Sequence, residues 1–176
     1  MPERTISSEH VFRGHLLRLR VDEVELDSGR HATREIVEHP GAVAILAWDG
    51  ARLAMVSQWR AAASADLLEI PAGTLDPGED PGVTARRELA EECGLAANSW
   101  ENGPSFYTAP GFSTELLTLF LASELLPTEA NGPEDEELTR SWLTLDEALA
   151  AIDHGRITDA KSLVGILWLA RRLDGS

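Results

Sequence analysis

Residues Gly73 to Leu95, GTLDPGEDPGVTARRELAEECGL, mark both ends of a helix by residue type alone. Asp80 followed by Pro81 reads as an N-cap and first helical residue, and Gly94 as a C-terminal stop, so the helix is predicted over Pro81 to Cys93. Spacings of three and four residues put Glu88, Glu91 and Glu92 on one face, leaving Val83, Leu89, Ala90 and Cys93 for the inward side. Clustered carboxylates repel one another, and a bound cation relieves this. Hard divalent cations such as Mg²⁺ take oxygen ligands, keep several waters and are held by one or two carboxylates plus substrate phosphates. Glu88 and Glu92, one turn apart, have the separation for this, with Glu91 alongside. The preceding Pro71-Ala72-Gly73 turn can aim a backbone carbonyl at the same ions. The competing reading is a solvated acidic face paired with Arg86 and Arg87, the commoner fate of such a run.

The rest of the chain reads as strands, then that helix, then more strands and two further helices. Leu16 to Leu26 alternates apolar Leu17, Leu19 and Val21 with charged Arg18, Arg20 and Asp22, as a half-buried strand does. Arg34 to Glu38 is extended, and Ala42 to Trp48 is an apolar run of buried-strand character. Asp49-Gly50 is the strongest hairpin signal in the chain and pairs that run with Leu53 to Gln58. Leu67 to Ile70, Ser105 to Ala109, Leu116 to Ala122 and Arg140 to Leu143 read as further strands. Thr144 with Glu147 forms a capping-box signature for a helix ending near Gly155, and Asp159 to Leu173 is a last, strongly apolar helix. This order predicts an α+β architecture, a mixed sheet sandwiched between helices. Residues 1–40 form an N-terminal β segment and residues 41–176 the main domain.

Of 176 residues, 43% are hydrophobic, enough for one full core. The formal charge of -15 works against nonspecific binding to nucleic acid or an anionic membrane, so an anionic substrate needs cations at its site. Cys93 is the only cysteine, which excludes an intramolecular disulfide and a cysteine metal cluster and suits a reducing cytoplasm. No apolar run approaches the roughly 20 residues that cross a bilayer. The five histidines lack paired metal-ligand spacing.

The acidic helix and its glycine loop resemble the signature of Nudix hydrolases at every defining position: Gly73, Glu79, Arg87-Glu88-Leu89, Glu91-Glu92 and Gly94-Leu95. Nine specified positions across one segment make this far more specific than a lone glycine motif. The resemblance implies a Nudix fold, an α/β/α sandwich, and hydrolysis of a nucleoside diphosphate linked to another group. It also implies that Glu88 and Glu92 are the principal ligands of Mg²⁺ or Mn²⁺, two or more ions in all. Glu91 is implied as a third ligand or a support, and the carbonyl of Ala72, before Gly73, completes the site. Glu79 and Arg87 look like an ion pair that anchors the helix.

Ala109-Pro110-Gly111-Phe112-Ser113-Thr114-Glu115 is similar to an element of the ADP-ribose pyrophosphatase branch, with Ala109 in place of the usual serine. The likeness continues through REIVEHPGAVAIL, QWR, LLEIPAG and GRITDAKSLVGILWL. By that resemblance Gly73, Pro110 and Glu115 are substrate-binding, Glu115 through ribose hydroxyls, which a carboxylate accepts well. Arg60 clamps diphosphate oxygens as a planar fork, and Arg34 reaches the nucleotide from a partner subunit. Glu134 or Glu136, in an acidic loop, serves as the base, with Glu91 as a further catalytic candidate. Against these stand plainer readings: a strand-entry turn for Pro110 and Glu115, surface arginines for Arg34 and Arg60, a solvated loop for Glu134 to Glu137. The expected activity is conversion of ADP-ribose to AMP and ribose 5-phosphate by a cytoplasmic homodimer. The alternatives are a diphosphatase for another nucleotide sugar such as GDP-mannose, and a noncatalytic ADP-ribose-binding sensor.

Overall fold

The computed structural model describes residues 3–129 and 138–175. It divides the chain into two compact units, one of Met1–Gly41 with Phe106–Leu116, the other of Ala42–Ser105 with Leu117–Ser176.

The first unit is built on β1 (Arg4–Arg13), β2 (Arg18–Glu25) and β3 (His31–Glu38), an antiparallel sheet with β2 in the middle. The alternation in β2 works against expectation: Asp22, on its charged side, is only 4% exposed. Ser8 Oγ donates to Asp22 Oδ1 at 2.6 Å, and the Arg20 guanidinium lies 3.3 Å from Oδ2. Arg20 also reaches Glu38, which His10 holds from its other oxygen. A polar network therefore fills this face, with Arg20 Nε left buried and without a partner in it. Ile6, Val11 and Phe12 on β1 are exposed. The 106–116 segment joins the unit through Val37, whose N–H donates to Phe112 O and whose carbonyl accepts from Thr114 N–H.

The second unit holds β4 (Ala42–Ala47), β5 (Arg52–Arg60), β6 (Ala65–Glu69), β7 (Ala72–Thr74), β8 (Leu95–Tyr107), β9 (Leu116–Pro127) and β10 (Thr139–Thr144). Its helices are α1 (Pro81–Cys93), α2 (Leu145–Asp153) and α3 (Ala160–Asp174). A four-stranded mixed sheet runs β7-β4-β9-β8, with β4 and β9 parallel, and a three-stranded antiparallel sheet runs β10-β5-β6. The expected hairpin between β4 and β5 is not formed as a ladder. Beyond the Trp48–Leu53 bridge the two strands enter different sheets. Asp49-Gly50 supplies the turn, with Gly50 at φ 98. Both runs are buried along most of their length, so each takes its neighbours from more distant strands.

The strand β4 organises this unit. Val43, Ile45 and Ala47 pack with Ala85 and Leu89 of α1, while Leu46, on the opposite face, lies with Ile70 and Leu119 around Gly165 of α3. A sheet layer thus stands between helices. Burying each large aliphatic side chain contributes about 1.5–3 kcal/mol. Among the described residues, no helix is long and apolar enough to cross a membrane.

The helix α1 keeps its expected bounds. Asp80 accepts from the N–H groups of Gly82 and Val83, Pro81 opens the helix, and Gly94 closes it at φ 65. Val83, expected on the inward side, is 54% exposed, and Thr84 and Ala85 are buried instead. The last turn of α1 presents carboxylates to the negative end of the helix dipole, an unfavourable placement. Arg140 of β10 offsets it by donating to the carbonyls of Glu92 (2.5 Å) and Glu91 (3.1 Å). At α2 the capping box between Thr144 and Glu147 is formed.

Candidate active site

Glu88, Glu91 and Glu92 sit on α1 beside the loop that precedes it. The loop differs from the turn expected at Pro71-Ala72-Gly73: Ala72 to Thr74 is β7, antiparallel to β4 with Ala72 opposite Ala44. Ile45 N–H donates to Pro71 O at 2.8 Å, and Ala72 N–H donates to Glu92 Oε2 at 2.9 Å. Glu92, 4% exposed, is a carboxylate embedded between helix and strand, and the solvated-face reading does not describe it. Gly73 is required by closeness rather than by its backbone angles. A Cβ there would stand 2.0 Å from Glu88 Cδ.

The cation now among these carboxylates is Arg87. Its Nη1 donates to Glu88 Oε1 at 2.7 Å and to Glu91 Oε2 at 3.1 Å, and its Nη2 to Glu79 Oε2 at 3.3 Å. Burial disfavours the Arg87 charge, but the bonds and fields of Glu79, Glu88 and Glu91 outweigh it and hold the guanidinium more firmly protonated than usual. The Arg87 bond leads the causes that lower the Glu79 pKa. Arg87 thus pairs with Glu88 and Glu91 as well as with Glu79.

The donor set is chemically right for a hard divalent ion: carboxylates and peptide oxygens, no thiolate or imidazole. Among the described residues no three carboxylate, imidazole or thiol groups close around one point; a hard divalent ion needs only one or two carboxylates beside water and phosphate. Cys93, packed against the core, has its thiol pKa pushed up to about 12 by burial and then by the Glu92 charge. It is not a metal ligand or nucleophile in that state.

Arg60, at the end of β5, forms a bidentate pair with Glu69: Nε to Oε1 at 3.1 Å and Nη2 to Oε2 at 2.6 Å. Glu69 is 2% exposed and also accepts from Lys161 Nζ at 2.6 Å. Burial alone would raise the Glu69 pKa, yet Arg60 and Lys161 together bring it below its ordinary value. Neither Glu69 nor Lys161 was singled out from sequence. The available signal was a lone acid inside the apolar run Leu67-Leu68-Glu69-Ile70, which demands a buried partner.

In the first unit, Arg34 and Pro110 line one cavity, together with Arg20 and residues 111–114. Arg34 is paired with Glu3. Glu115 is not among the residues lining that cavity. Thr108 Oγ1 donates to its Oε2, and the His39 ring lies 3.8 Å from Oε1. Glu134 and Glu136 lie outside the described residues.

The second unit thus carries a glycine strand set against an embedded acidic helix in a layered α+β arrangement. The NUDIX domain matches residues 38–162, and the nucleoside diphosphate sugar hydrolase N-terminal domain matches residues 3–37. The chain is 45% identical to the methanol dehydrogenase activator of Bacillus methanolicus, over 95% of its own length and 92% of the relative's. It is 42% identical to the ADP-ribose pyrophosphatase of Bacillus subtilis (strain 168), over 96% and 93%. Its fold superposes on a crystal structure described as an ADP compounds hydrolase, with a TM-score of 0.89 at 22% identity, covering 99% of this chain and 96% of that one. The chain belongs to the Nudix hydrolase family.

Proposed function

We propose that this enzyme hydrolyses the diphosphate of ADP-ribose to AMP and ribose 5-phosphate. The observation that carries the reading is the full-length likeness to a protein named ADP-ribose pyrophosphatase, 42% identical. The intact set of Glu88, Glu91 and Glu92 supports catalysis over a sensor, which has no need of it.

Glu88 and Glu92 hold Mg²⁺ or Mn²⁺, two or more ions, with the Ala72 carbonyl and Glu91 completing the set. When bound, such ions polarise phosphoryl oxygens and lower the pKa of the attacking water. Arg60 binds diphosphate oxygens, Gly73 gives the substrate close access to backbone, and Glu115 accepts from ribose hydroxyls. Arg34 and Pro110 border the nucleotide. The water oxygen bonds to one phosphorus as the bridging P–O bond breaks, and its proton passes to Glu134 or Glu136. General base catalysis of this kind contributes about 10²–10⁴-fold. The enzyme acts in the cytoplasm as a homodimer; exposed Ile6, Val11 and Phe12 on β1 supply apolar surface for the association.

The test is hydrolysis of a nucleotide-sugar panel in ¹⁸O-water, with product masses reporting substrate preference and the attacked phosphorus together. ADP-ribose with the highest kcat/KM supports the reading. A higher value for GDP-mannose replaces the substrate, and binding without turnover in any divalent ion favours the sensor.

A further inference from the structure

Lys161 is the one lysine in a chain of 15 Lys+Arg, so every other member of that set is arginine. It occupies the first turn of α3, just after the Asp159 N-cap. Helix dipoles disfavour a cation there, and only 13% of its side chain is exposed. Neither the helix nor solvent accounts for its position. Its contacts do: Nζ lies 2.6 Å from Glu69 Oε2 and 2.9 Å from Asp159 Oδ2. An ammonium is a compact charge with rotatable donors and can bridge two carboxylates from different directions. A guanidinium fork is matched to one carboxylate edge. On Glu69 the fork belongs to Arg60, and the ammonium shares Oε2 with it.

We propose that Lys161 is a positioning residue for substrate binding: by sharing the charge of Glu69 it sets how tightly Glu69 holds the Arg60 guanidinium, and therefore how Arg60 is offered to the diphosphate. This rests on the reading of Arg60 as a diphosphate contact. The charges of Arg60, Lys161, Glu69 and Asp159 cancel. Without Lys161 the group carries a net negative charge, and Glu69 draws on Arg60 alone. A doubly engaged guanidinium in a negative field attracts a diphosphate poorly. The same helix turn steadies the neighbouring strand, since Ser162 Oγ accepts from Ile70 N–H at 2.8 Å, two residues before Ala72.

The test is a charge-balance cycle on the full-length enzyme, measuring kcat and KM for ADP-ribose together with thermal melts. Lys161→Met is expected to raise KM about tenfold while kcat stays within roughly threefold. The double variant Glu69→Gln/Lys161→Met restores the balance and is expected to return KM to within roughly threefold of the parent. Lys161→Gln serves as the second single variant should the Met variant melt early. An unchanged KM with a lowered melting temperature overturns the proposal, leaving Lys161 a structural residue. A double variant with a KM no lower than that of Lys161→Met overturns it equally. Arg60→Gln separates the two levels: if it leaves KM unchanged, or the parent turns over no ADP-ribose, the underlying reading fails and the proposal with it. If Arg60→Gln raises KM and Lys161→Met does not, only the proposal fails.

Discussion

Arg87 donates from Nη1 to Glu88 Oε1 at 2.7 Å, and the same nitrogen reaches Glu91 at 3.1 Å. Adjacent residues on a helix do not ordinarily face each other. Here the Glu88 side chain lies back against Gly73, and the guanidinium closes the gap between two carboxylates. Arg87→Met removes that relief. The metal-free protein is expected to lose roughly 1–3 kcal/mol, at the lower end because the side chain is one-third exposed. The rise in melting temperature on adding Mg²⁺ should become larger than in the parent, since the ion then relieves more repulsion. Melts in chelator and in Mg²⁺ measure both, and an equal rise in the two proteins contradicts the argument.

Gly73→Ala tests closeness at the same place. The added Cβ meets the Glu88 carboxylate, the far end of a flexible side chain, at 2.0 Å. The carboxylate can move aside only by giving up its bond to Arg87, so the fold should survive with a lowered melting temperature. The displaced Glu88 should cost about a hundredfold in kcat/KM, the scale of a misplaced reacting group. Preserved activity would show that Glu88 works from a different rotamer.

The acidic helix α1 is legible because its boundaries are written in local chemistry: Asp80, Pro81 and Gly94 each act on the backbone next to them. The partnership of β4 and β5 is not, because Asp49-Gly50 specifies a turn and says nothing about which sheet each strand then joins. β7 was hidden by its length of three residues and by Gly73, which reads as a turn former. β8 and β9 run further than their apolar centres, β8 through Gly103-Pro104 and β9 through Glu124 at φ 55. Local propensity ends a strand at such residues, and ladder pairing carries it on. At the site, Glu88 and Glu92 carry a dense motif. Glu69 and Lys161 are 92 positions apart and meet only in the folded chain.

Glu69 also sets a pH dependence. Its pKa in the folded protein lies below the ordinary value of 4.5, with burial opposing and Arg60 and Lys161 prevailing. A depressed carboxylate pKa stabilises the fold above the unfolded value, and that stability is lost as pH falls through the folded value. The stability difference between parent and Glu69→Gln should therefore be largest near neutrality and shrink once pH drops below about 4.5. Urea unfolding across pH 3 to 7 measures it. A difference that is flat or grows on acidification contradicts the assignment.

Arg140 gives the last prediction, because its charge is spent on the backbone. Its donors satisfy the Glu91 and Glu92 carbonyls at the end of α1, where Gly94 has already turned the chain away. Charge-assisted bonds of this kind contribute about 1.5–3 kcal/mol. Arg140→Met keeps the aliphatic stem and should destabilise the protein by about 1–3 kcal/mol, read as a fall in denaturant midpoint at unchanged slope. Glu91 and Glu92 are then left at the negative end of an uncompensated dipole. A divalent ion placed there should recover part of the loss, and Arg140→Lys, with one charge and no fork, should fall between the two proteins. If Arg140→Lys matches Arg140→Met, the paired geometry of the guanidinium carries the effect. If it matches the parent, charge alone does.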